Sequence, residues 1–239
     1  MALFWSLVYV DPLIVLSTIV FGVISVMQSV FDKSGESMIR TARVWAATLV
    51  RITRVRVNVI GLEKIDPHRP YIFVSNHLSY MDTPVVLSRI PVRFRFMAKS
   101  ELFDIPFMGT HLKQAGHIPV PLEDPRAAVK TLSLAAQTIR DRGISILIFP
   151  EGGRSEDGIL QEFKEGAAYI AIKAGVQIVP MALVGTREIL AMHSKTFRPG
   201  PVTLRIDDPI STDGLKLGDR GELTAQLRQR VVALLEQGH

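Results

Sequence analysis

YIFVSNHLSYMDTP, residues Tyr71 to Pro84, joins an apolar run to a helix-start pattern across a polar turn. The apolar run Tyr71 to Val74 stops at Ser75-Asn76-His77, and five positions after the histidine Asp82-Thr83-Pro84 opens a new segment. A short apolar run bounded by polar residues reads as a strand, and an oxygen-bearing side chain just ahead of proline reads as a helix start. Strand, four-residue turn and helix entrance together predict one unit of a strand–helix alternation.

The rest of the chain repeats that alternation. Six further β-rich runs follow the same texture: VRVNVIG (Val55–Gly61), FRFMAK (Phe94–Lys99), HIPV (His117–Val120), ISILIF (Ile144–Phe149), IVPMALV (Ile178–Val184) and PVTLRI (Pro201–Ile206). Helical patterns separate them. Asp124-Pro125 supplies a cap followed by proline, Gly143 closes the same helix, and Val129, Leu132, Ala136 and Ile139 form its expected buried stripe. The tail from Glu222 to Gln237 carries Leu223, Leu227, Val231, Leu234 and Leu235 at helical spacing and reads as a packing helix. The predicted fold class is α/β: a mixed, largely parallel sheet flanked by helices.

The N-terminal part differs. Leu13 to Val30 carries no charge over nearly the length of a bilayer core, and Lys33, Arg40, Arg43, Arg51, Arg54 and Arg56 follow it. That distribution predicts membrane association with the remainder of the chain on the cytoplasmic face. A cleaved leader is disfavoured, because no Lys or Arg precedes the apolar run and no A-x-A-like site follows. Asp11-Pro12 interrupts the run after Trp5 and Tyr9, so a kinked, interfacial or re-entrant arrangement competes with a simple span. Met38 to Ile52 reads as a basic amphipathic helix that either lies on the membrane or docks on the domain. The expected division is a helical segment over 1–53 and an α/β domain over 54–239.

Composition narrows the chemistry. The 239 residues suffice for one sizeable core, and the absence of cysteine excludes disulfides, thiolate metal sites and a cysteine nucleophile. A net charge of +5 favours anionic partners. Nucleic acid is not expected, because no aromatic platform or reading helix accompanies the basic residues.

Two constellations carry chemistry. In the first, Asp82 accepting the Nδ1–H of His77 would fix the imidazole tautomer and leave Nε2 free, which makes a two-member general-base device. Read alone, the same residues also describe a strand-end histidine bonded to backbone and an aspartate that caps a helix. In the second, the buried strand ISILIF ends in Pro150-Glu151-Gly152-Gly153-Arg154-Ser155. Glycines let backbone N–H groups approach an anion, and Arg154 adds a fork suited to phosphate. The alternative is a solvated turn with an Arg154–Glu151 ion pair. Neither G-x-x-x-x-G-K-[ST] nor G-x-S-x-G occurs, which argues against a nucleotide P-loop and a serine acyl-enzyme of the α/β-hydrolase type.

Asn76-His77…Asp82, FPEGGRS and IVPMAL, with FMAKSELFDIPFMG and GHIPV between them, resemble the lysophosphatidic acid acyltransferase family of phospholipid/glycerol acyltransferases. The resemblance runs in register from about Val57 to Val184. It implies a glycerol-phosphate-acyltransferase-like fold and transfer of a fatty acyl group from acyl carrier protein or coenzyme A to the sn-2 hydroxyl of lysophosphatidic acid, giving phosphatidic acid. The expected setting is the cytoplasmic face of a bacterial inner membrane. By the same resemblance His77 is the base and Asp82 its orienter. Asn76, Lys99, Glu151, Gly152, Gly153 and Arg154 would contact the head group or stabilise charge near it. No cofactor or metal is implied beyond the acyl thioester. Two positions depart from the family pattern. Pro121-Leu122 stands where an arginine usually follows G-x-I-P-V, so that Arg126 would have to replace that contact, and Gly153 stands for the usual threonine. The alternatives are an enzyme of the same fold acting on another lysolipid, such as a lyso-form of an amino-acid-derived lipid, and a non-catalytic membrane lipid-binding protein.

Overall fold

In the computed structural model, which describes residues 2–237, α1 (Ala2–Trp5) runs through a wide turn at Ser6–Val10 into α2 (Asp11–Phe31). Together they make one apolar helical body of 29 residues, Leu3–Phe31, long and apolar enough to cross a membrane. Asp11-Pro12 does not break it, so of the arrangements the sequence left open a re-entrant helix pair is not the one observed. Proline lacks an N–H and crowds the carbonyl four residues back, and the wide turn just ahead, closed by the Asp11 N–H on the Ser6 carbonyl, makes room for the ring.

The next helix, α3 (Glu36–Ile52), buries Met38, Ile39, Ala46, Leu49 and Val50. Of the two readings for this segment, docking is the one observed. Ala46 and Val50 enter the main core, and the Arg43 guanidinium donates to the carbonyls of Ile90 and Val92.

Seven strands alternate with helices from there: β1 (Arg56–Ile60), β2 (Ile72–Ser75), α4 (Asp82–Arg89), β3 (Phe94–Lys99), α5 (Met108–Gln114), β4 (Ile118–Val120), α6 (Pro125–Arg142), β5 (Ser145–Ile148), α7 (Gly166–Ala174), β6 (Ile178–Val184), α8 (Thr186–Ile189), β7 (Pro201–Ile206) and α9 (Arg220–Glu236). Each strand lies within a run identified in the sequence. They form one sheet in the order β1-β7-β6-β2-β5-β3-β4. The five strands from β6 to β4 are mutually parallel, β7 pairs antiparallel with β6, and β1 runs parallel to β7.

Consecutive residues of the central strands serve opposite faces, as the pleat requires. Phe73, Leu147 and Val179 pack with Val85 and Val86 of α4 and the apolar face of α3. Ile72, Ile146 and Ile178 pack with Ala136 and Ile139 of α6, Ala168 of α7 and Leu227 and Val231 of α9. Each large apolar side chain fully withdrawn from water contributes about 1.5–3 kcal/mol, so these two layers hold the sheet in place. Asp124 caps α6 by accepting from the N–H groups of Arg126 and Ala127, and Gly143 closes it in the left-handed region. Val129 is exposed rather than buried, because α6 meets the core through Leu132, Ala135, Ala136 and Ile139, beyond Val129.

Candidate active site

The C-terminal ends of β2, β5 and β3 lie side by side, the edge at which open α/β sheets bind ligands. Asn76-His77 follows β2, Phe149 to Arg154 follows β5, and Lys99 ends β3.

Asn76 is fully buried and faces inward. Its amide donates to the Leu183 carbonyl at 2.9 Å and accepts the Leu183 N–H at 2.7 Å, which adds a rung to the β2–β6 ladder. These bonds anchor Asn76 to the strand end beside His77.

His77 and Asp82 meet through the turn between them. Nδ1 of the imidazole lies 2.7 Å from Oδ2 of Asp82, and the same oxygen accepts the N–H groups of Leu78 and Ser79 at 2.7 and 2.8 Å. Asp82 is the first residue of α4, and its carboxylate turns back to the loop instead of capping the helix. With a carboxylate as acceptor, Nδ1 carries the proton and Nε2 is left as the basic nitrogen. The Phe149 ring stacks on the imidazole, with centroids 3.9 Å apart and planes within 10°.

Glu151 staples the histidine turn to the arginine turn. Its Oε1 accepts the His77 N–H at 2.6 Å and its Oε2 the Gln161 N–H at 2.9 Å, and the Ser155 N–H returns to the His77 carbonyl at 2.9 Å. Burial raises the Glu151 carboxyl above its ordinary range, with the two backbone donors opposing that rise. Both oxygens of Glu151 are thus engaged by backbone N–H groups, which fixes the two turns against each other. An Arg154–Glu151 ion pair is not among the described contacts.

The Arg154 guanidinium lies over the Tyr80 ring at 4.0 Å from its centroid, half-buried, with no hydrogen bond or ion pair to a described residue and Nε withdrawn from solvent. Partial burial lowers its affinity for the proton, so an incoming anion would relieve a desolvation cost already present. Gly152 has φ 79°, and a Cβ there would fall 2.7 Å from Nζ of Lys164, which brings a second cation to the turn. Gly153 faces open space. Lys99 is exposed at the end of β3, and Arg126 is exposed on the first turn of α6 with only its backbone N–H engaged. No described contact ties either one to the His77 cluster.

Residues 56–184, just over half of the chain, match the family model described as Acyltransferase. The chain belongs to the acyltransferase family.

Three relatives of this acyltransferase show how the likeness is distributed. A chloroplastic 1-acyl-sn-glycerol-3-phosphate acyltransferase of Arabidopsis thaliana is 36% identical over 171 residues, 71% of this chain and 47% of that protein. The alpha form from Homo sapiens is 30% identical over 183 residues, 77% of this chain and 65% of that protein. The crystal structure of the 1-acyl-sn-glycerophosphate acyltransferase PlsC from Thermotoga maritima superposes with a TM-score of 0.83 at 26% identity, covering 99% of this chain and 95% of that one. The chain spans about half the length of the plant relatives it matches.

The candidate site also holds residues that the sequence did not single out. Phe149 reads as the last apolar residue of a core strand, Tyr80 as a turn residue, and Lys164 as one more surface cation. Only the fold brings them to His77, Arg154 and Gly152.

Proposed function

We propose that this acyltransferase moves a fatty acyl group from an acyl thioester, on acyl carrier protein or coenzyme A, to the sn-2 hydroxyl of a lysophosphatidic acid. The observation that carries the reading is the His77–Asp82 pair with Nε2 left free, beside an arginine that makes no ion pair with a described residue. The activities for which the relatives are named support the same acceptor class. His77 Nε2 takes the proton of the acceptor hydroxyl as its oxygen attacks the thioester carbonyl. Asp82 steadies the imidazolium, the carbon–sulfur bond breaks, and the departing thiolate recovers the proton. No enzyme nucleophile is needed. Arg154, with Lys164 and Lys99, would receive the phosphate of the acceptor.

The setting follows from the N-terminal helix. Leu16, Ile19, Val23 and Met27 of α2 stand exposed on one side. The opposite side is tied to the domain by Ser6 with Phe197, Thr18 with Trp45, Ser25 with His111 and Gln28 with Thr41. With one side held to the domain and the other apolar, we infer that the helix lies in one leaflet, on the cytoplasmic face of a bacterial inner membrane. On this reading the exposed side of α1 and α2 faces the lipid, α3 joins them to the domain, and the part of the chain beyond residue 53 carries the chemistry.

The test is turnover by purified, detergent-solubilised protein with a panel of lysolipid acceptors and both donor types. Lysophosphatidic acid should be the preferred acceptor, and His77→Ala should lower kcat by about 100-fold or more with folding retained. Wild-type turnover in a folded His77→Ala protein would end the base assignment, and preference for an acceptor without a phosphomonoester would end the substrate assignment.

A further inference from the structure

Asp82 holds the imidazole of His77 at one point. The hydrogen bond to Nδ1 fixes the tautomer and a direction within the ring plane, but histidine χ2 is a broad torsion, so one bond leaves the tilt of the ring loosely restrained. Nε2, which must meet the acceptor hydroxyl, would swing with that tilt. The contact that removes this freedom is the Phe149 ring, stacked on the imidazole at 3.9 Å and nearly parallel.

Phe149 is itself held. Its ring lies within 14° of Phe96, with centroids 6.4 Å apart, and Phe96 lies within 25° of His117 at 5.7 Å. Nδ1 of His117 accepts the Phe96 backbone N–H at 3.0 Å, so its proton sits on Nε2. The column therefore ends on a ring that is buried and hydrogen-bonded to the strand it supports.

We propose that Phe149 is a positioning residue for acyl transfer: its face sets the plane of the His77 imidazole and stabilises the positive charge that ring acquires with the acceptor's proton. The inference rests on the reading of His77 as the base. A parallel aromatic face presents the negative side of its quadrupole to the stacked ring, and this attraction is present only when the ring is charged. The contact is thus stronger in the transition state than in the resting enzyme, which is the condition for raising kcat without changing substrate binding. No atom changes hands at Phe149. The proton passes from hydroxyl to Nε2 and then to the leaving thiolate.

The experiment uses the full-length, detergent-solubilised enzyme with lysophosphatidic acid and an acyl thioester. Phe149→Leu should lower kcat by about tenfold, with KM for both substrates within about twofold, and Phe149→Tyr should restore most of the loss. Incorporating tri- and pentafluorophenylalanine at 149 keeps the ring while draining and then reversing its quadrupole, so kcat should fall stepwise with fluorination in protein of unchanged fold. In a His77→Ala background the fluorinated rings should have no further effect. A kcat indifferent to fluorination, or an equal fluorination effect with and without His77, overturns the inference even if Phe149→Leu fails to fold. If His77→Ala keeps wild-type turnover, the base assignment itself has failed. If His77→Ala is inactive and fluorination is silent, only the role of Phe149 is lost.

Discussion

Gly152 and Gly153 are neighbours with opposite constraints. Gly152 has φ 79°, where an L side chain is strained, while Gly153 lies outside that region with nothing near its missing Cβ. Gly152→Ala should therefore destabilise the fold by about 1–2 kcal/mol, and Gly153→Ala should stabilise it by about 0.4–1 kcal/mol through the unfolded chain. Paired thermal melts check both signs. At Arg154 the proposed phosphate contact would use a planar fork that stacks on Tyr80. Arg154→Lys keeps the charge but loses fork and stack, so both Arg154→Lys and Arg154→Ala should raise KM for the acceptor more than KM for the thioester. Equal effects on the two substrates would assign Arg154 to the donor. At this scale sequence resolved the residue types and one pairing, His77 with Asp82, but not the other partners. His77, Asp82 and Arg154 were legible because their spacing is local or their motif is compact. The inward turn of Asn76 and Glu151 was not, since Leu183 and Gln161 come from elements that only the fold brings near.

Elements were read more surely than contacts, because period and punctuation are local properties. Each of the seven strands lay in a recognisable apolar run, and α6 and α9 announced their ends or their stripes. What the pattern could not convey was how α5 and β4 are joined to α2. His111 of α5 bonds Ser25 at 2.7 Å, and His117 just before β4 lies beneath it, with ring centroids 5.8 Å apart. Burial, then the neighbouring His111 and Arg95, push the His117 imidazole down to about 3. A histidine whose folded value is lowered refuses a proton that the unfolded chain accepts. Its contribution is intact above the unfolded value near 6.5 and is lost as pH falls below it. Urea unfolding should show stability dropping by about 2 kcal/mol between pH 7 and pH 5 from this group. A His117→Gln variant, whatever its absolute stability, should show a shallower dependence over that window. A slope unchanged in the variant would mean that other groups carry the acid sensitivity.

For the whole molecule, the question is what keeps the site at a lipid surface. The proposed acceptor and product carry acyl chains, and each methylene kept out of water contributes about 0.8 kcal/mol, so a site held against the bilayer spares the enzyme that exposure. Residue 53 is not the mechanical boundary, because α3 supplies Ala46 and Val50 to the main core, and removing it would strip the domain itself. The lipid-facing function belongs to the exposed face of α1 and α2, where Leu16, Ile19 and Val23 are each at least half exposed, at 58%, 59% and 51%. Replacing these three with aspartate removes apolar surface without touching the core or the His77 site. Vesicle flotation should then fall sharply, and turnover of long-chain lysolipid presented in vesicles should fall with it. Turnover of a short-chain acceptor that is monomeric in water should stay within about twofold of wild type, since no group proposed to act in the chemistry has moved. A triple variant that floats with vesicles as wild type does, and turns over long-chain acceptor normally, would show that the membrane is held by another surface. Loss of the short-chain activity as well would place α2 inside the catalytic unit, acting through its Ser25 bond to α5 and not as an anchor.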